Sequence, residues 1–287
     1  MTEEAGTKDR GAAPIGRARE VLLAILGGIS LALRPVGAFA EAVGEHLMLL
    51  GKCVYWAFRP PFRLRLLVEA AEFIGVGSLP IITLVGTFTG AVTALQSVSQ
   101  LRVLGAEGFA GSATGLALST ELGPVLTGLM LAGRAGAGIA TELGTMRITE
   151  QIDALETMAV SPIQYLVVPR IIAATIMTPI LMVVFFTVGM AGGYMVGVKT
   201  LGVDHGLFVE NFRFSVDPSH LAQGFIKSTV FGLAFSLIGC YQGYNAWGGG
   251  RGVGLATTKA VVVGSVSILI LDYFLTDILL SLMPAAA

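Results

Sequence analysis

The chain has 287 residues, of which 54% are hydrophobic and only 13% are charged, and its formal net charge is −1. Soluble globular proteins carry about 25% charged residues, so this composition excludes an ordinary soluble fold. The near-neutral charge also excludes the strongly basic surface of a nucleic-acid-binding protein. Apolar stretches long enough to cross a bilayer as helices recur along the chain. We therefore predict an all-α integral membrane protein.

The N-terminal region differs from the rest of the chain. Residues 1–20 are polar and rich in glycine and alanine, and we expect a disordered cytosolic tail there. Residues 21–33 are apolar and follow two arginines, as in the core of a signal peptide. An Arg-Pro pair at 34–35 interrupts that pattern, and an amphipathic stretch follows it. We therefore expect residues 21–73 to contain one or two interfacial helices rather than a cleaved signal.

Five apolar segments follow and form the predicted transmembrane domain, residues 74–283. The second segment is too long for a bilayer and must project beyond it. The longest and most polar connection between spans is predicted at 201–221. We place the spans at residues 74–98, 112–146, 165–198, 222–245 and 257–283.

Lysine and arginine residues are unevenly divided between the two ends of these spans. With a cytosolic N-terminus, the inner side holds Lys52, Arg59, Arg63, Arg65, Arg147, Arg170, Arg251 and Lys259, and the outer side holds Arg102, Lys199 and Arg213. The positive-inside rule therefore predicts a cytosolic N-terminus. Because five spans cross the membrane an odd number of times, the C-terminus is predicted to be periplasmic.

Small residues recur at four-residue spacing in three of the spans. Such faces let helices approach closely in lipid, where association has no hydrophobic drive. The pattern fits packing within one subunit and fits a dimer interface equally well. The residues are Gly86 and Gly90 in the first span, Ala132, Gly136 and Ala140 in the second, and Gly189, Gly193 and Gly197 in the third.

Among the ionisable residues in the predicted spans, three stand out, namely Glu121, Lys227 and Asp272. A charge at the centre of a transmembrane helix costs about 2.5–3.5 kcal/mol on insertion scales. At 1.5 Å per residue they lie roughly 13, 8 and 16 Å from the outer ends of their helices, so we expect them at similar depth. The pattern fits a polar cavity that receives a head group, and it also fits an ion-paired cluster that only fixes helix packing.

Two other features of the second span affect the interpretation of this cluster. Pro124 follows Glu121 closely and is expected to bend or open the helix just beyond the carboxylate. Arg134 and Glu142 lie nearer the inner end, where we expect them to be solvated or paired with neighbouring helices.

The segment 149–159, between the second and third spans, is predicted to form a short amphipathic helix capped by Thr149. A helix of this kind on a cytosolic loop has the shape of a docking element for a soluble partner. A helix resting on the membrane surface is disfavoured because its acids would face anionic lipids. The predicted helix is apolar at Ile152, Leu155 and Ala159 and acidic at Glu150, Asp153 and Glu156.

The sequence contains no motif that indicates catalysis. The stretch nearest to a P-loop, residues 224–229, lacks the loop glycines and lies at the edge of a span. The three histidines lie outside the predicted spans, and the two cysteines have no metal or redox spacing. We therefore predict no enzymatic activity, no cofactor and no metal site in this chain.

One block of the sequence carries a specific family resemblance. Residues 121–170 read ELGPVLTGLMLAGRAGAGIATELGTMRITEQIDALETMAVSPIQYLVVPR, and this block closely resembles the MlaE/YrbE family of ABC transporter permeases. The resemblance continues through GTFTGAVTALQ in the first span, IKSTVFG, YQGYNA, ATTKAVV and LDYFLTD. It covers about residues 55–283 and leaves the first fifty residues outside the family pattern.

The resemblance implies interfacial helices followed by five transmembrane helices, working as a homodimer in a bacterial inner membrane. It implies two cytosolic ATPase subunits, often a small STAS-domain protein, and a periplasmic MCE-domain oligomer. Phospholipids or related lipids are the implied cargo, moved between the inner membrane and the outer envelope.

The resemblance also implies roles for particular residues. It makes 149–159 the helix that couples to the ATPase and places Glu121, Lys227 and Asp272 around a lipid cavity. Some relatives carry arginine before the ELGP glutamate, where this chain has Thr120, so a head-group contact by that arginine is not carried over. The outer end of the first span is implied to line the cavity through Thr93, Gln96, Leu101 and Leu104.

Two other functional classes are compatible with parts of this sequence pattern. An ion-coupled secondary transporter would use the Glu121/Lys227/Asp272 cluster as a proton relay, but such folds usually show inverted repeats, and none is visible in this sequence. A membrane scaffold fits the docking helix but leaves the buried charges unexplained. The sequence fixes neither the lipid nor the direction of transport.

Overall fold

The structure is a computed structural model that describes residues 40–60 and 63–282, and within these ranges the regular secondary structure is entirely helical. The chain divides into two compact units between Met48 and Leu49. Helix α1 covers residues 40–57. The predicted tail at 1–20 and the apolar stretch at 21–33 lie outside the described residues.

Five helical segments are long and apolar enough to cross a membrane, as predicted. They are Leu64–Arg102, Glu107–Ile148, Ile163–Thr200, Pro218–Tyr244 and Gly249–Leu282. The first begins ten residues before its predicted start because α2, Leu64–Ile74, joins α3, Leu79–Arg102, through a single 3₁₀ turn. The fifth begins eight residues early because, within the glycine-rich stretch 248–252, only Gly248 and Gly249 have positive φ and the helix begins at Gly249.

The second and third spans are interrupted by π-helical turns. The second consists of α4 (Ala110–Ala117), α5 (Gly123–Leu131) and α6 (Ala137–Ile148), separated by π turns at Leu118–Leu122 and Ala132–Gly136. In the third span, π turns at Ile163–Val167 and Met195–Thr200 flank α8, Val168–Tyr194. The fourth span is α10, Pro218–Tyr244, and the fifth is α11, Gly249–Leu282.

The spans pack in an order that differs from their order in the chain. Helix α3 packs on α8, α8 on α10 and α10 on α11, while the second span lies across α8, α10 and α11. The first and fifth spans are therefore the outermost. Only 22% and 28% of their apolar windows are buried, compared with 44–56% for the other three. These two helices offer the largest apolar surfaces to lipid or to a second subunit.

The two ends of the bundle carry different short helices. One end, which we call the α9 end, carries α9 (His205–Ser215) within the predicted loop 201–221. The Asp204 side chain caps α9 by accepting a hydrogen bond from the Leu207 N–H at 2.9 Å. The Phe208 side chain of the same helix is buried. The opposite end, the α7 end, carries α7, Gln151–Thr157.

The small-residue faces are used inside the chain. A Cβ at Gly90 would overlap the carbonyl of Gly189, so the first and third spans are in backbone contact there. A Cβ at Gly239 on α10 would lie 2.9 Å from the Gly136 carbonyl oxygen, and one at Gly243 would lie 2.7 Å from that of Ala140. Of the two alternatives left open by the sequence, packing within one subunit is the one realised at these contacts.

Gly90→Ala is therefore expected to destabilise the chain, because the added methyl meets backbone that cannot rotate away. Overpacking of this kind costs about 1–3 kcal/mol, which corresponds to a fall in melting temperature of roughly 2–10 °C in detergent. Gly133→Ala is the matched control, since nothing lies within 4 Å of its added Cβ. An equal fall for both variants would contradict the close helix contact.

Candidate functional site

The three charged residues predicted inside the spans come together in the structure. Lys227 on α10 is only 2% exposed, and its Nζ lies 2.8 Å from Oε2 of Glu121 and 3.0 Å from Oδ1 of Asp272. Glu121 comes from the second span and Asp272 from α11. The cluster lies toward the α9 end, in agreement with the depths inferred from helical rise.

Thr276 completes the surroundings of the lysine and was missed from the sequence. Lys227 Nζ donates a hydrogen bond to Thr276 Oγ1 at 2.7 Å, and that hydroxyl donates to the backbone carbonyl of Asp272 at 2.7 Å. Asp272 Oδ1 is close to Nζ but lies outside hydrogen-bond geometry. The spacing of one helical turn between Asp272 and Thr276 is the signal that identifies Thr276, because residues four apart share a helix face.

Burial and charge are distributed unequally within the cluster. With all three groups ionised, one cation faces two carboxylates, and the cluster carries a net charge of −1. The Glu121 side chain is 43% exposed, whereas that of Asp272 is 20% exposed. The negative charge of the cluster is therefore less enclosed by protein at Glu121 than at Asp272.

The backbone at Glu121 departs from a regular α-helix. Glu121 lies in the π turn Leu118–Leu122, and the Gly123 N–H donates to the Leu118 carbonyl five residues earlier. Pro124 has no N–H to bond the carbonyl of Thr120, which accounts for the opening at this point. The prediction that the proline opens the helix beside the carboxylate is confirmed. Single π turns occur frequently at functional sites.

A cavity of about 230 Å³ lies against the cluster. Its wall contains both polar side chains and three leucines. Such a mixed lining suits a ligand with a polar part and an apolar part. His220, which lines it, uses Nδ1 to accept the Asp217 N–H at 3.2 Å. The lining consists of Leu116, Thr120, Glu121, His220, Gln223, Lys227, Thr276, Leu279 and Leu280.

The four residues of the first span that the family resemblance assigns to a cavity lie elsewhere. None of the described residues lining the cavity at Glu121 comes from α3. Gln96 is exposed, Thr93 is partly buried, and Leu101 packs against the small cluster around Val98. Leu104, which lies past the end of α3, is 77% exposed. In a single chain these residues and the charge cluster belong to separate surfaces.

The predicted coupling helix is shorter than the segment 149–159. Helix α7 covers Gln151–Thr157. Thr149 is not its cap, because the Thr149 hydroxyl donates back to the Thr145 carbonyl, and Glu150, with φ 60°, precedes the helix. Ala159 lies beyond the helix with φ 56°, so its predicted place on a shared helix face is wrong.

The faces of α7 have different environments. Ile152 is fully buried, and Leu155 packs on the core of its own chain. Two of the acids are also held locally. Asp153 pairs with Arg147 at 2.5 Å, and Glu156 accepts a hydrogen bond from the Tyr244 hydroxyl at 3.3 Å. Gln151, Ala154 and Thr157 of α7 are exposed as well, and they follow one another at three-residue spacing.

Other polar residues near the α7 end are paired as expected. Arg134 Nη1 donates to the Phe73 carbonyl and to Ser78 Oγ, both at 2.9 Å, and so bonds the end of α2 to the second span. Glu142 pairs with Arg170 at 2.8 Å. Burial raises the pKa of the Cys53 thiol to about 12, so this thiol is protonated and unreactive at neutral pH.

A sequence model of the family described as Permease MlaE matches residues 67–278. The chain belongs to the MlaE permease family. The match begins in α2 and ends in α11, so it extends over the five spans except the first residues of the first and the last residues of the fifth. It includes Glu121, Lys227, Asp272 and Thr276. As an MlaE permease with five apolar helices, the chain is a multi-pass membrane transporter subunit rather than a catalytic enzyme.

Individual relatives support the same assignment. The chain is 43% identical to a probable ABC transporter permease protein of Rickettsia felis over 240 residues, which is 84% of this chain and 93% of the relative. It is 38% identical to the intermembrane phospholipid transport system permease protein MlaE of Haemophilus influenzae over 252 residues, 85% and 97% of the two chains. It is 35% identical to the chloroplastic protein TRIGALACTOSYLDIACYLGLYCEROL 1 of Arabidopsis thaliana over 230 residues, 80% and 66% of the two chains.

Proposed function

We propose that the chain is the membrane-spanning subunit of an ABC transporter that moves phospholipids or related lipids between the inner membrane and a periplasmic MCE-protein carrier. Membership of the MlaE permease family supports this function, as does the phospholipid transport named for the Haemophilus relative. The observation that carries the proposal is the buried Lys227 cluster on the wall of a cavity lined by both polar and leucine side chains.

The cavity assigns roles to its lining residues. The polar end of the lipid lies against Glu121, Gln223 and His220, and the acyl chains lie against Leu279 and Leu280. Because the excess charge of the cluster is negative and is most exposed at Glu121, the site favours head groups that present ammonium or hydroxyl donors there. Lys227 fixes the carboxylates in place and has no free surface of its own.

A homodimer gives the remaining predicted residues a function. The first and fifth spans are the least buried, and two copies that meet along such surfaces enclose a larger outward-facing cavity. That cavity brings Thr93, Gln96, Leu101 and Leu104 of the first span to a common space with the second and fifth spans. A volume of about 230 Å³ in one chain is below the usual range of about 300–1,000 Å³ for ligand pockets, which also favours a shared site.

The distribution of charge supports the proposed orientation and partners. Arg102, Lys199 and Arg213 lie at the α9 end, and the larger set of basic residues lies toward the α7 end. By the positive-inside rule the α7 end is cytosolic. Two ATPase subunits then bind at α7, with a small STAS-domain protein as a further cytosolic partner. The MCE-domain oligomer binds at the periplasmic α9 end.

The contacts of α7 supply a physical connection between ATPase and cavity. Arg147, at the end of α6, pairs with Asp153, and Tyr244, at the end of α10, donates to Glu156. These are the spans that carry Glu121 and Lys227. A displacement of α7 therefore acts on both sides of the ion pair through ordered helices.

Native mass spectrometry of the chain, expressed with its genomic neighbours and purified in mild detergent, tests the composition of the transporter. We expect a complex with two copies of this chain, two ATPase chains and bound phospholipid. A lone chain without an ATPase partner would overturn the proposal and favour an ion-coupled transporter. In that case the charge cluster would act as a proton relay.

A further inference from the structure

A second polar site lies at the start of the first span, far along the sequence from the Lys227 cluster. A pocket of about 80 Å³ is bounded by the end of α1, the start of α2 and the start of the third span. Arg59 and Arg63 both line it. Among the described residues neither arginine forms an ion pair, whereas the neighbouring Arg65 pairs with Glu69 at 2.9 Å.

Both guanidinium groups are held in place by aromatic rings. Arg59 Cζ lies 4.2 Å from the centre of the Tyr55 ring, and Arg63 Cζ lies 4.5 Å from that of Tyr165. The Gln164 amide also donates to the Arg59 carbonyl at 2.8 Å, which fixes the bend after α1 to the third span. Stacked arginines lose little further conformational freedom when they bind an anion.

One donor in this pocket has no acceptor in the described part of the chain. Arg63 Nη1 is buried and makes no hydrogen bond there. A buried donor of a charged group is costly to leave without an acceptor, and a bound acceptor accounts for it. Two unpaired guanidinium groups favour an acceptor that carries negative charge, and phosphate oxygens match their fork geometry.

The remaining wall of the pocket is apolar. Leu64 and Leu67 of α2 and Ile172 of α8 line it, and Leu64 is 68% exposed on the surface of the first span. An apolar surface continuous with two arginines at the start of a membrane span fits a lipid whose phosphate lies at the interface and whose acyl chain runs along the helix.

We propose that Arg59 and Arg63 bind the phosphate of an anionic phospholipid in the leaflet that this end of the bundle faces. The bound lipid is distinct from the transported one, since it lies at the other end of the bundle from the Glu121 cavity. Its function is to join the end of α1, the first span and the third span. Lipid binding at this site is expected to be the same whichever lipid is transported and in whichever direction.

Trp56 lines the pocket and provides a direct reporter. The sequence contains two tryptophans, and the other, Trp247, is 86% exposed, so Trp247→Phe leaves Trp56 as the sole emitter. The full chain in phosphatidylcholine nanodiscs is supplied with a minor fraction of brominated phosphatidylglycerol or brominated phosphatidylcholine. We expect brominated phosphatidylglycerol to quench the fluorescence of Trp56 at a mole fraction about tenfold lower than brominated phosphatidylcholine requires. The reason is the attraction of two basic residues for an anionic lipid.

Two variants and one competitor make the result decisive. Arg59→Gln with Arg63→Gln is expected to remove the tenfold preference, and Arg65→Gln, the ion-paired control, is expected to keep it. If the protein that keeps Arg59 and Arg63 is quenched equally by the two brominated lipids, the proposal is overturned. This outcome does not depend on whether the glutamine variants fold. Release of brominated phosphatidylglycerol by inorganic phosphate would also overturn it, because the site would then take free phosphate.

Discussion

Replacing Lys227 with methionine is expected to abolish lipid transfer in reconstituted vesicles while the chain still inserts in the membrane. The change leaves Glu121 and Asp272 close together without their shared cation, and the loss of one partner from a buried ion pair costs about 3–5 kcal/mol. The two carboxylates then either share a proton or move apart. Both outcomes alter the cavity wall. Lys199→Met, at an exposed lysine of the α9 end, is the matched control and should transfer lipid normally.

Glu121→Gln separates a binding role from a packing role at the same cluster. The amide keeps the shape of the side chain, and Lys227 keeps Asp272 and Thr276 as neighbours. We expect at least about a tenfold loss of transfer, since one charge-assisted contact to a head group is worth roughly 1.5–3 kcal/mol, with little change in melting temperature. Normal transfer by both Lys227→Met and Glu121→Gln would show that the cluster only fixes helix packing.

Ala154→Arg is expected to uncouple ATP hydrolysis from transfer. Ala154 is the central one of the exposed residues Gln151, Ala154 and Thr157 on α7, and a long charged side chain there obstructs a close protein contact. ATPase activity stimulated by the permease should fall several-fold, and lipid bound to the purified chain should be unchanged. Ala154→Ser adds a single oxygen at the same position and should behave like the original chain. Full coupling in Ala154→Arg would place the ATPase contact elsewhere.

The depth of the charge cluster was predictable from the sequence because each span crosses the membrane from one surface to the other. The number of residues from the helix end therefore gives the position of a residue along the membrane normal. Counting residues from the helix ends put Glu121, Lys227 and Asp272 at similar depth, and the structure joins them within 3.0 Å. The lateral arrangement of helices is not contained in that count. Gln223 and His220 were therefore not predictable as parts of the site, whereas the spacing of four residues from Asp272 does point to Thr276.

Amphipathic patterns were less informative about what covers an apolar face. The face of α7 that contains Ile152 packs on its own chain, and the sequence alone does not distinguish that contact from a docking surface. The glycine faces show the same ambiguity, which was resolved when Gly90 was found against Gly189. The positions assigned by resemblance on the first span lie away from the cluster, because one chain holds only part of the proposed dimeric cavity.

Lipid transfer measured in proteoliposomes tests the central claim most directly. The chain is reconstituted with its ATPase subunits and a labelled phospholipid, and transfer to a periplasmic acceptor protein is followed with ATP, without ATP, and with a proton gradient alone. We predict transfer only with ATP and only when the ATPase subunits are present. Transfer driven by a proton gradient without any ATPase would contradict the account and would establish an ion-coupled transporter instead.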